Sequence, residues 1–182
     1  EETPFVYTRW GNPTVAQLER KLAVLEGAEA CVAFGSGVAA IAALFLHVLK
    51  AGDHMVMSDV TYAAASEFAN QKLPNLGIEV SRVDTSDPEN VRAALRPNTR
   101  LVYLETPDNP LLRLTDIEAV CKIAAAAGVA VAVDSTFATP IGTRPVELGA
   151  DYVIQSLTKY ICGHGDAIGG AIIGRREEMN RL

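Results

Sequence analysis

Short apolar runs alternate with amphipathic stretches along most of the chain. Between Pro13 and Gly27, apolar side chains recur at helical spacing, which predicts a first helix that ends at the glycine. Beyond it, seven runs rich in Val and Ile predict strands at 30–34, 54–58, 78–83, 100–105, 129–134, 151–156 and 169–174. The helical pattern recurs between them at 37–50, 61–72, 88–95 and 114–127.

Several of the predicted strands are apolar on both faces, which is typical of parallel strands that helices cover on both sides. The repeated strand–helix units favour the same arrangement. We therefore predict an α/β fold with a mostly parallel, seven-stranded sheet flanked by helices. Residues 1–12 lack these patterns, so we divide the chain into an irregular N-terminal segment and a domain at 13–182.

Composition and charge limit the kinds of molecule that the protein is expected to bind and the place where it is expected to act. The 182 residues are enough for one domain with a substantial core, and the net charge of −6 disfavours nucleic acid. The longest apolar run, 38–46, is far shorter than the ~20 residues that a bilayer requires, so we expect no membrane span. Three cysteines without a CxxC pair, and no secretory signal, lead us to expect a cytoplasmic protein.

A glycine-rich loop joins the strand 30–34 to the helix 37–50. Its residues 35–40, Gly-Ser-Gly-Val-Ala-Ala, match the G-x-G-x-x-G/A pattern of dinucleotide-binding turns. Asp59 follows the next strand, where such folds place the acid that binds the ribose. The loop itself shows only that backbone N–H groups at a helix start can meet an anion. Both NAD and another phosphorylated cofactor remain open at this point.

Polar residues gather where the predicted strands end, at 35–37, 59–62, 105–109, 134–136 and 156–159. In open α/β sheets, ligands bind at the carboxyl ends of the strands. The sequence therefore predicts a functional site at this edge of the sheet.

Two residues at this edge suggest a particular chemistry. Lys159 follows the predicted strand 151–156. A lysine held against an apolar sheet loses solvation, which lowers the pKa of its amine and makes it a nucleophile. A lone lysine in a loop, however, is more often simply solvated. Asp134 ends an apolar strand and either caps the next turn or pairs with a cationic ring nitrogen. Pyridoxal phosphate requires such a lysine and such an acid, so we interpret the glycine loop as its phosphate site rather than as a site for NAD.

Five segments together resemble the Cys/Met-metabolism family of pyridoxal-phosphate enzymes, which includes cystathionine γ-synthase, cystathionine γ-lyase, methionine γ-lyase and O-acetylhomoserine sulfhydrylase. They are YTRWGNPT, GSGVAAI, ETPDNP, VDSTFATP and SLTKYICGHGDAIGG, and the resemblance that runs through them covers nearly the whole chain. The resemblance implies the fold of the aspartate aminotransferase large domain, known as fold type I. It also implies that 13–182 is the domain that binds pyridoxal 5'-phosphate.

The resemblance assigns a role to individual residues. Lys159 would form the internal aldimine and move protons, Asp134 would hold the ring nitrogen protonated, and Tyr62 would stack on the ring and act as an acid–base group. The expected catalytic residues are therefore Lys159, Tyr62 and Asp134. The expected cofactor-binding residues are Gly37, Val38, Tyr62, Asn109, Asp134, Thr136, Ser156, Thr158, Lys159, Tyr7 and Arg9.

In the family, the motif matched by Tyr7 and Arg9 reaches the phosphate of a neighbouring subunit. The resemblance thus implies that 1–12 is an arm on that subunit, and that the protein is a homo-oligomer, a dimer with shared sites that assembles into a tetramer. It further implies that a smaller C-terminal domain, which carries the arginine for the substrate carboxylate, is absent from this chain.

The resemblance implies an amino-acid substrate and γ-elimination, the reaction of methionine and cystathionine γ-lyases. γ-Replacement, as in cystathionine γ-synthase or O-acetylhomoserine sulfhydrylase, is the alternative, and an inactive cofactor-binding fragment is a third. Cys162, His164 and Asp166 alternate in one loop without a fourth ligand, so we expect no metal site there.

Overall fold

The computed structural model describes residues 5–182. Its strands are β1 (Ala30–Phe34), β2 (His54–Ser58), β3 (Glu79–Val83), β4 (Thr99–Glu105), β5 (Ala130–Asp134), β6 (Tyr152–Gln155) and β7 (Gly170–Gly174). Its α-helices are α1 (Pro13–Glu26), α2 (Gly37–Val48), α3 (Ala63–Gln71), α4 (Pro88–Ala94), α5 (Ile117–Ala126), α6 (Thr139–Gly142) and α7 (Arg176–Met179). Two 3₁₀ turns lie at Pro74–Leu76 and Pro145–Leu148.

The seven strands form one sheet in the order β1-β7-β6-β5-β4-β2-β3. Neighbours from β6 to β3 pair in parallel, whereas β7 runs antiparallel to both β1 and β6. The predicted mostly parallel, seven-stranded sheet is therefore confirmed.

Two helices start later than predicted, because a residue near the start caps the helix or is not helical. α5 begins at Ile117 instead of 114, since the Asp116 carboxylate accepts the N–H of Ala119 at 2.9 Å and starts the helix there. Tyr62 keeps an extended backbone, so α3 begins at Ala63. The two short helices and the two 3₁₀ turns were not predicted, because three or four residues are too few to show a helical period.

Alternate side chains of the strands point to opposite faces of the sheet and pack in two separate layers of the core. On one face, Met55 and Met57 of β2 pack with Leu44 of α2, and this cluster extends to α3. On the other face, Val56 packs in a cluster with Val120 of α5. The alternation follows from the two-residue period of a strand, and it places helices on both sides of the sheet.

This architecture determines where a site can form. Because parallel strands end at the same edge, the residues after β2, β4, β5 and β6 lie together there. The start of α2 joins them, since α2 packs on β6 and β7. In the described part of the chain, no helix is both long and apolar enough to cross a membrane.

Candidate cofactor-binding site

A cavity of about 630 Å³ opens at the carboxyl ends of the parallel strands. This volume lies within the usual range for sites of small ligands and cofactors. Nine of the eleven predicted site residues line it: Gly37, Val38, Tyr62, Asn109, Asp134, Thr136, Ser156, Thr158 and Lys159. Sequence reasoning therefore located the residues of one cavity, although their roles remain predictions.

Tyr7 and Arg9, the other two predicted residues, do not line this cavity. Both are exposed, and the Arg9 guanidinium carbon lies 5.3 Å from the centre of the Tyr7 ring. Residues 1–4 of the predicted arm lie outside the described part of the chain. Contact of this arm with a neighbouring subunit stays a prediction.

The start of α2 provides donors for an anion at one end of the cavity. Ser36 caps the helix, and its hydroxyl accepts the N–H of Ala39 at 3.1 Å. The N–H groups of Gly37 and Val38 are the first two of the helix, so no carbonyl one turn earlier can accept them. Together with the positive end of the helix dipole, they form a site suited to a phosphate.

The loop that follows β6 lies directly against this helix start. A methyl group on Gly37 would be 2.8 Å from both Cβ and Oγ of Ser156, so only glycine leaves room for the contact. Ser156 is held in turn by its N–H, which donates to the Thr136 hydroxyl at 2.8 Å. The Thr158 hydroxyl donates to the Gly169 carbonyl at 3.2 Å, so a contact of this hydroxyl with a phosphate would require it to turn.

Asp134 forms a buried acidic group in the wall of the cavity. It is 5% exposed, its Oδ2 accepts the hydroxyl of Tyr103 at 3.2 Å, and its Oδ1 accepts the N–H of Thr136 at 3.0 Å. Burial raises its pKa above the ordinary value, and the hydrogen bonds from Thr136 and Tyr103 oppose that shift. No ion pair is found for it among residues 5–182. A cation held in the cavity would therefore stabilise its charged form.

Lys159 lies at the rim of the cavity with an exposed side chain. The expectation that the sheet would shield it from solvent is wrong for this chain. β6 ends at Gln155, and Lys159 lies in a turn beyond the edge of the sheet, where its carbonyl accepts the N–H of Gly163 at 2.8 Å. Its amine is thus accessible to a ligand in the cavity.

Sequence reasoning assigned no role to Tyr103, Glu105, Phe137 or Tyr160. Glu105, Phe137 and Tyr160 line the cavity, and the two aromatic rings meet edge to face with 5.7 Å between their centres. Tyr103 and Glu105 lie two residues apart on β4, so they share a face. Their closeness to Asp134 depends on the pairing of β4 with β5, which the local pattern does not show.

The acid proposed for NAD binding is engaged elsewhere. Asp59 does not line the cavity, and Arg113 Nη2 pairs with its Oδ1 at 2.5 Å. The same guanidinium also pairs with Asp84 at 3.0 Å and with Asp108 at 2.8 Å. The NAD interpretation therefore lacks a ribose-binding acid at the cavity.

The alternating loop residues do not assemble a metal centre within the described chain. Cys162 Sγ lies 3.6 Å from Asp166 Oδ1, and His164 Nδ1 lies 3.1 Å from the Cys162 carbonyl oxygen. Residues 5–182 contain no group of three or more His, Cys, Asp or Glu side chains that could hold a metal ion.

Comparisons with known proteins agree with this geometry. The model of the family of Cys/Met metabolism PLP-dependent enzymes matches residues 1–182. The chain is 51% identical over 183 residues to L-methionine gamma-lyase of Porphyromonas gingivalis, which covers all of this chain and 46% of that protein. It is 44% identical over 179 residues to cystathionine gamma-lyase of Bacillus subtilis, covering 98% of this chain and 47% of the relative.

A solved structure shares the fold over the same region. The crystal structure of metB from Corynebacterium glutamicum superimposes with a TM-score of 0.95 at 44% identity, covering 98% of this chain and 46% of that one. The likeness confirms the predicted fold class. The chain spans about half the length of the relatives that it matches.

The residues present also fit the cofactor of that family on structural grounds alone. The cavity combines a helix start for one phosphate, a buried acid that lacks a cation, and an accessible amine. These groups correspond to the phosphate, the ring nitrogen and the aldehyde of pyridoxal phosphate. Family match, fold and cavity thus agree that the chain belongs to the Cys/Met metabolism family of PLP-dependent enzymes.

Proposed function

We propose that the protein containing this chain catalyses γ-elimination from a sulfur-containing amino acid. The observation that carries the proposal is the single cavity in which Lys159, Tyr62 and Asp134 meet beside the start of α2. The choice of γ-elimination rests on the similarity to L-methionine gamma-lyases, at 51% identity to that of Porphyromonas gingivalis and 47% to that of Treponema denticola.

Lys159 is the proposed site of covalent attachment for the cofactor. When bound, pyridoxal phosphate supplies an electrophilic carbon and a conjugated ring that withdraws electrons from the Cα of the substrate. With its amine free, Nζ of Lys159 would remove the proton at Cα of the substrate and move a second proton at Cβ. Its exposed position at the rim leaves it free to reach both atoms.

Asp134 and the start of α2 are the proposed anchors at the two ends of the ring. Asp134 keeps a proton on the ring nitrogen, and that cation would stabilise a carboxylate now buried without one. The N–H groups of Gly37 and Val38, with the nearby hydroxyl of Ser156, bind the phosphate. Asn109, which lines the same cavity, would donate to the 3-oxygen of the ring.

Tyr62 is the proposed stacking residue and proton donor. It lies 42% exposed at the start of α3, and it lines the cavity. Its hydroxyl is therefore available to protonate the sulfur that leaves from Cγ.

γ-Replacement is the alternative, and one comparison favours it. The chain is 44% identical over 179 residues to a probable cystathionine gamma-synthase of Herpetosiphon aurantiacus. The same cavity residues serve both reactions, because the two differ only in whether water or a thiol completes the sequence.

Assembly and location belong to the same proposal. We expect a homo-oligomer in which Tyr7 and Arg9 of one subunit reach the phosphate site of the next, since both side chains are exposed and outside their own cavity. Three free cysteines, two of them buried, support a cytoplasmic location.

Turnover by the full protein distinguishes the candidates. Methionine, cystathionine and an acylhomoserine are each supplied with pyridoxal phosphate, with and without an added thiol, while 2-oxoacid and thioether products are measured. Release of 2-oxoacid without a thiol supports γ-elimination, whereas thioether formation that requires the thiol supports γ-replacement. Cofactor binding with no turnover of any substrate would contradict both.

A further inference from the structure

Glu105 is a buried carboxylate at the cavity for which the proposed reaction has no role. It is the last residue of β4, it is 8% exposed, and it contributes to the cavity lining. Carboxylates are rarely buried without a partner, because leaving water is costly for a charged group. Its surroundings therefore indicate what it does.

The carboxylate of Glu105 links two loops. Its Oε2 accepts the backbone N–H of Tyr62 at 2.6 Å, and the backbone N–H of Asn109 lies near enough to the same carboxylate to favour its charged form. Tyr62 stands at the start of α3 and provides no side-chain cap for that helix. Glu105 thus accepts the N–H of the residue that precedes α3, near the positive end of that helix, and lies beside the loop that carries Asn109.

The position of Glu105 is electrostatically unfavourable, because its carboxyl group is buried next to that of Asp134. Glu105 pairs with Asp134 in the register of β4 and β5, so two carboxylates are neighbours in a buried region. Burial, and then the charge of Asp134, raise the pKa of Glu105 to about 8, while the N–H donors of Tyr62 and Asn109 oppose the shift. An apolar side chain of similar size would fill the space without this cost. Filling space is therefore a poor explanation for a glutamate here.

We propose that Glu105 is a positioning residue, which fixes Tyr62 and Asn109 relative to each other so that both meet the cofactor ring. The inference rests on the proposed function, because it assumes that these two side chains contact the ring. Glu105 acts through the backbone of its two partners and takes no proton from the substrate.

A cofactor analogue separates positioning from general stability. Binding of pyridoxal phosphate and of 3-deoxypyridoxal phosphate, which lacks the oxygen assigned to Asn109, is measured by equilibrium dialysis on the full chain. The wild type should bind the analogue about tenfold more weakly, since one hydrogen bond to a charged oxygen is lost. In Glu105→Gln the preference should fall below about threefold, because the amide has one accepting oxygen in place of two and no charge, so Asn109 is held less firmly.

Glu26→Gln is the matched control, because Glu26 is also a buried carboxylate with one side-chain donor but does not line the cavity. It should keep the wild-type preference. If Glu105→Gln keeps that preference as well, Glu105 does not position Asn109 and the inference is overturned.

A second measurement uses the wild type and does not depend on how the variant folds. Amide hydrogen exchange should show the N–H groups of Tyr62 and Asn109 protected in the cofactor-free protein, because Tyr62 donates to Glu105 and, on this inference, Asn109 is held beside the same carboxylate. Exchange at the rate of an unstructured chain would contradict the inference. Failure of the proposed cofactor site looks different, since wild-type protein would then bind neither cofactor form, whereas failure of this inference leaves binding intact. Failure of γ-elimination alone would appear as cofactor binding without turnover.

Discussion

Gly170 offers a sharp test of how the phosphate site is built. It lies at the start of β7, directly beneath the loop that opens α2. A Cβ placed on Gly170 would be 2.1 Å from the carbonyl oxygen of Ser36 and 2.8 Å from Cα of Gly37. Real Cβ atoms essentially never approach a heavy atom more closely than 3.0 Å, so in Gly170→Ala the Ser36 carbonyl has to retreat by 3.0 − 2.1, about 0.9 Å.

Because the obstacle is backbone and not a flexible side chain, this displacement moves the helix start itself. Overpacking of this kind costs about 1–3 kcal/mol. The N–H groups of Gly37 and Val38 move with the loop, so part of that cost appears as weaker phosphate binding. If all of it did, the Kd for pyridoxal phosphate would rise about 5- to 150-fold.

The assay is a titration with pyridoxal phosphate, followed by its visible absorbance, together with thermal unfolding of the cofactor-free protein. Gly35→Ala is the matched control in the same loop, because a Cβ there meets nothing within 4 Å and its φ is not positive. Gly35→Ala should bind and unfold like the wild type. Wild-type affinity together with wild-type stability in Gly170→Ala would refute the proposed close packing of β7 under the loop.

Three further substitutions test the electrostatics. Asp134→Asn removes the charge proposed to pair with the ring nitrogen. The kcat of the full protein should therefore fall about 10- to 100-fold while the cofactor stays bound. An unchanged kcat would contradict that role. Arg113→Gln leaves three carboxylates without their shared cation, so the free energy of unfolding, measured by urea denaturation, should fall by about 1–2 kcal/mol. The control Arg92→Gln breaks one exposed ion pair and should lower it by less than about 0.5 kcal/mol. Burial raises the pKa of Glu26 from its ordinary value of 4.5 to about 7, so the folded state binds the extra proton between these values. The contribution of Glu26 to stability should therefore be greatest below about pH 4.5 and fall by about 3 kcal/mol as the pH rises to 7. Glu26→Gln, which can pair fully with Gln155, should abolish this part of the pH dependence. Equal slopes of stability against pH in Glu26→Gln and the wild type would show that folding does not raise the pKa of Glu26.

The strands and the long helices could be predicted because their signals are local. Val and Ile runs mark β4 and β5 directly, and the apolar period of α2 is visible without knowledge of its partners. The rule that ligands bind at the carboxyl ends of parallel strands then placed Asp134 and Lys159 at one edge correctly.

Properties that depend on packing between distant segments could not be predicted. The solvation of Lys159 depends on how far the turn after β6 reaches beyond the sheet, and the apolar residues of β6 wrongly suggested burial. The contacts of Glu105 arise from segments 43 residues away in sequence at Tyr62 and from the register with β5. The solvation of Lys159 and the contacts of Glu105 are not visible in a local sequence pattern. The sequence places Glu105 at the rim of the site, but only the structure shows which loops it lies between.

The most direct measurement of the central claim is the site of cofactor attachment. The full chain is incubated with pyridoxal phosphate and reduced with borohydride, which makes any bond between cofactor and lysine permanent, and the labelled peptide is identified by mass spectrometry. The proposed function predicts that the visible absorbance band of the bound cofactor is lost on reduction and that the label lies on Lys159. In Lys159→Arg, no peptide from the cavity should carry the label. Absence of the band, or a label spread over other lysines such as Lys122 and Lys72 with none on Lys159, would contradict the claim that this cavity holds the cofactor covalently.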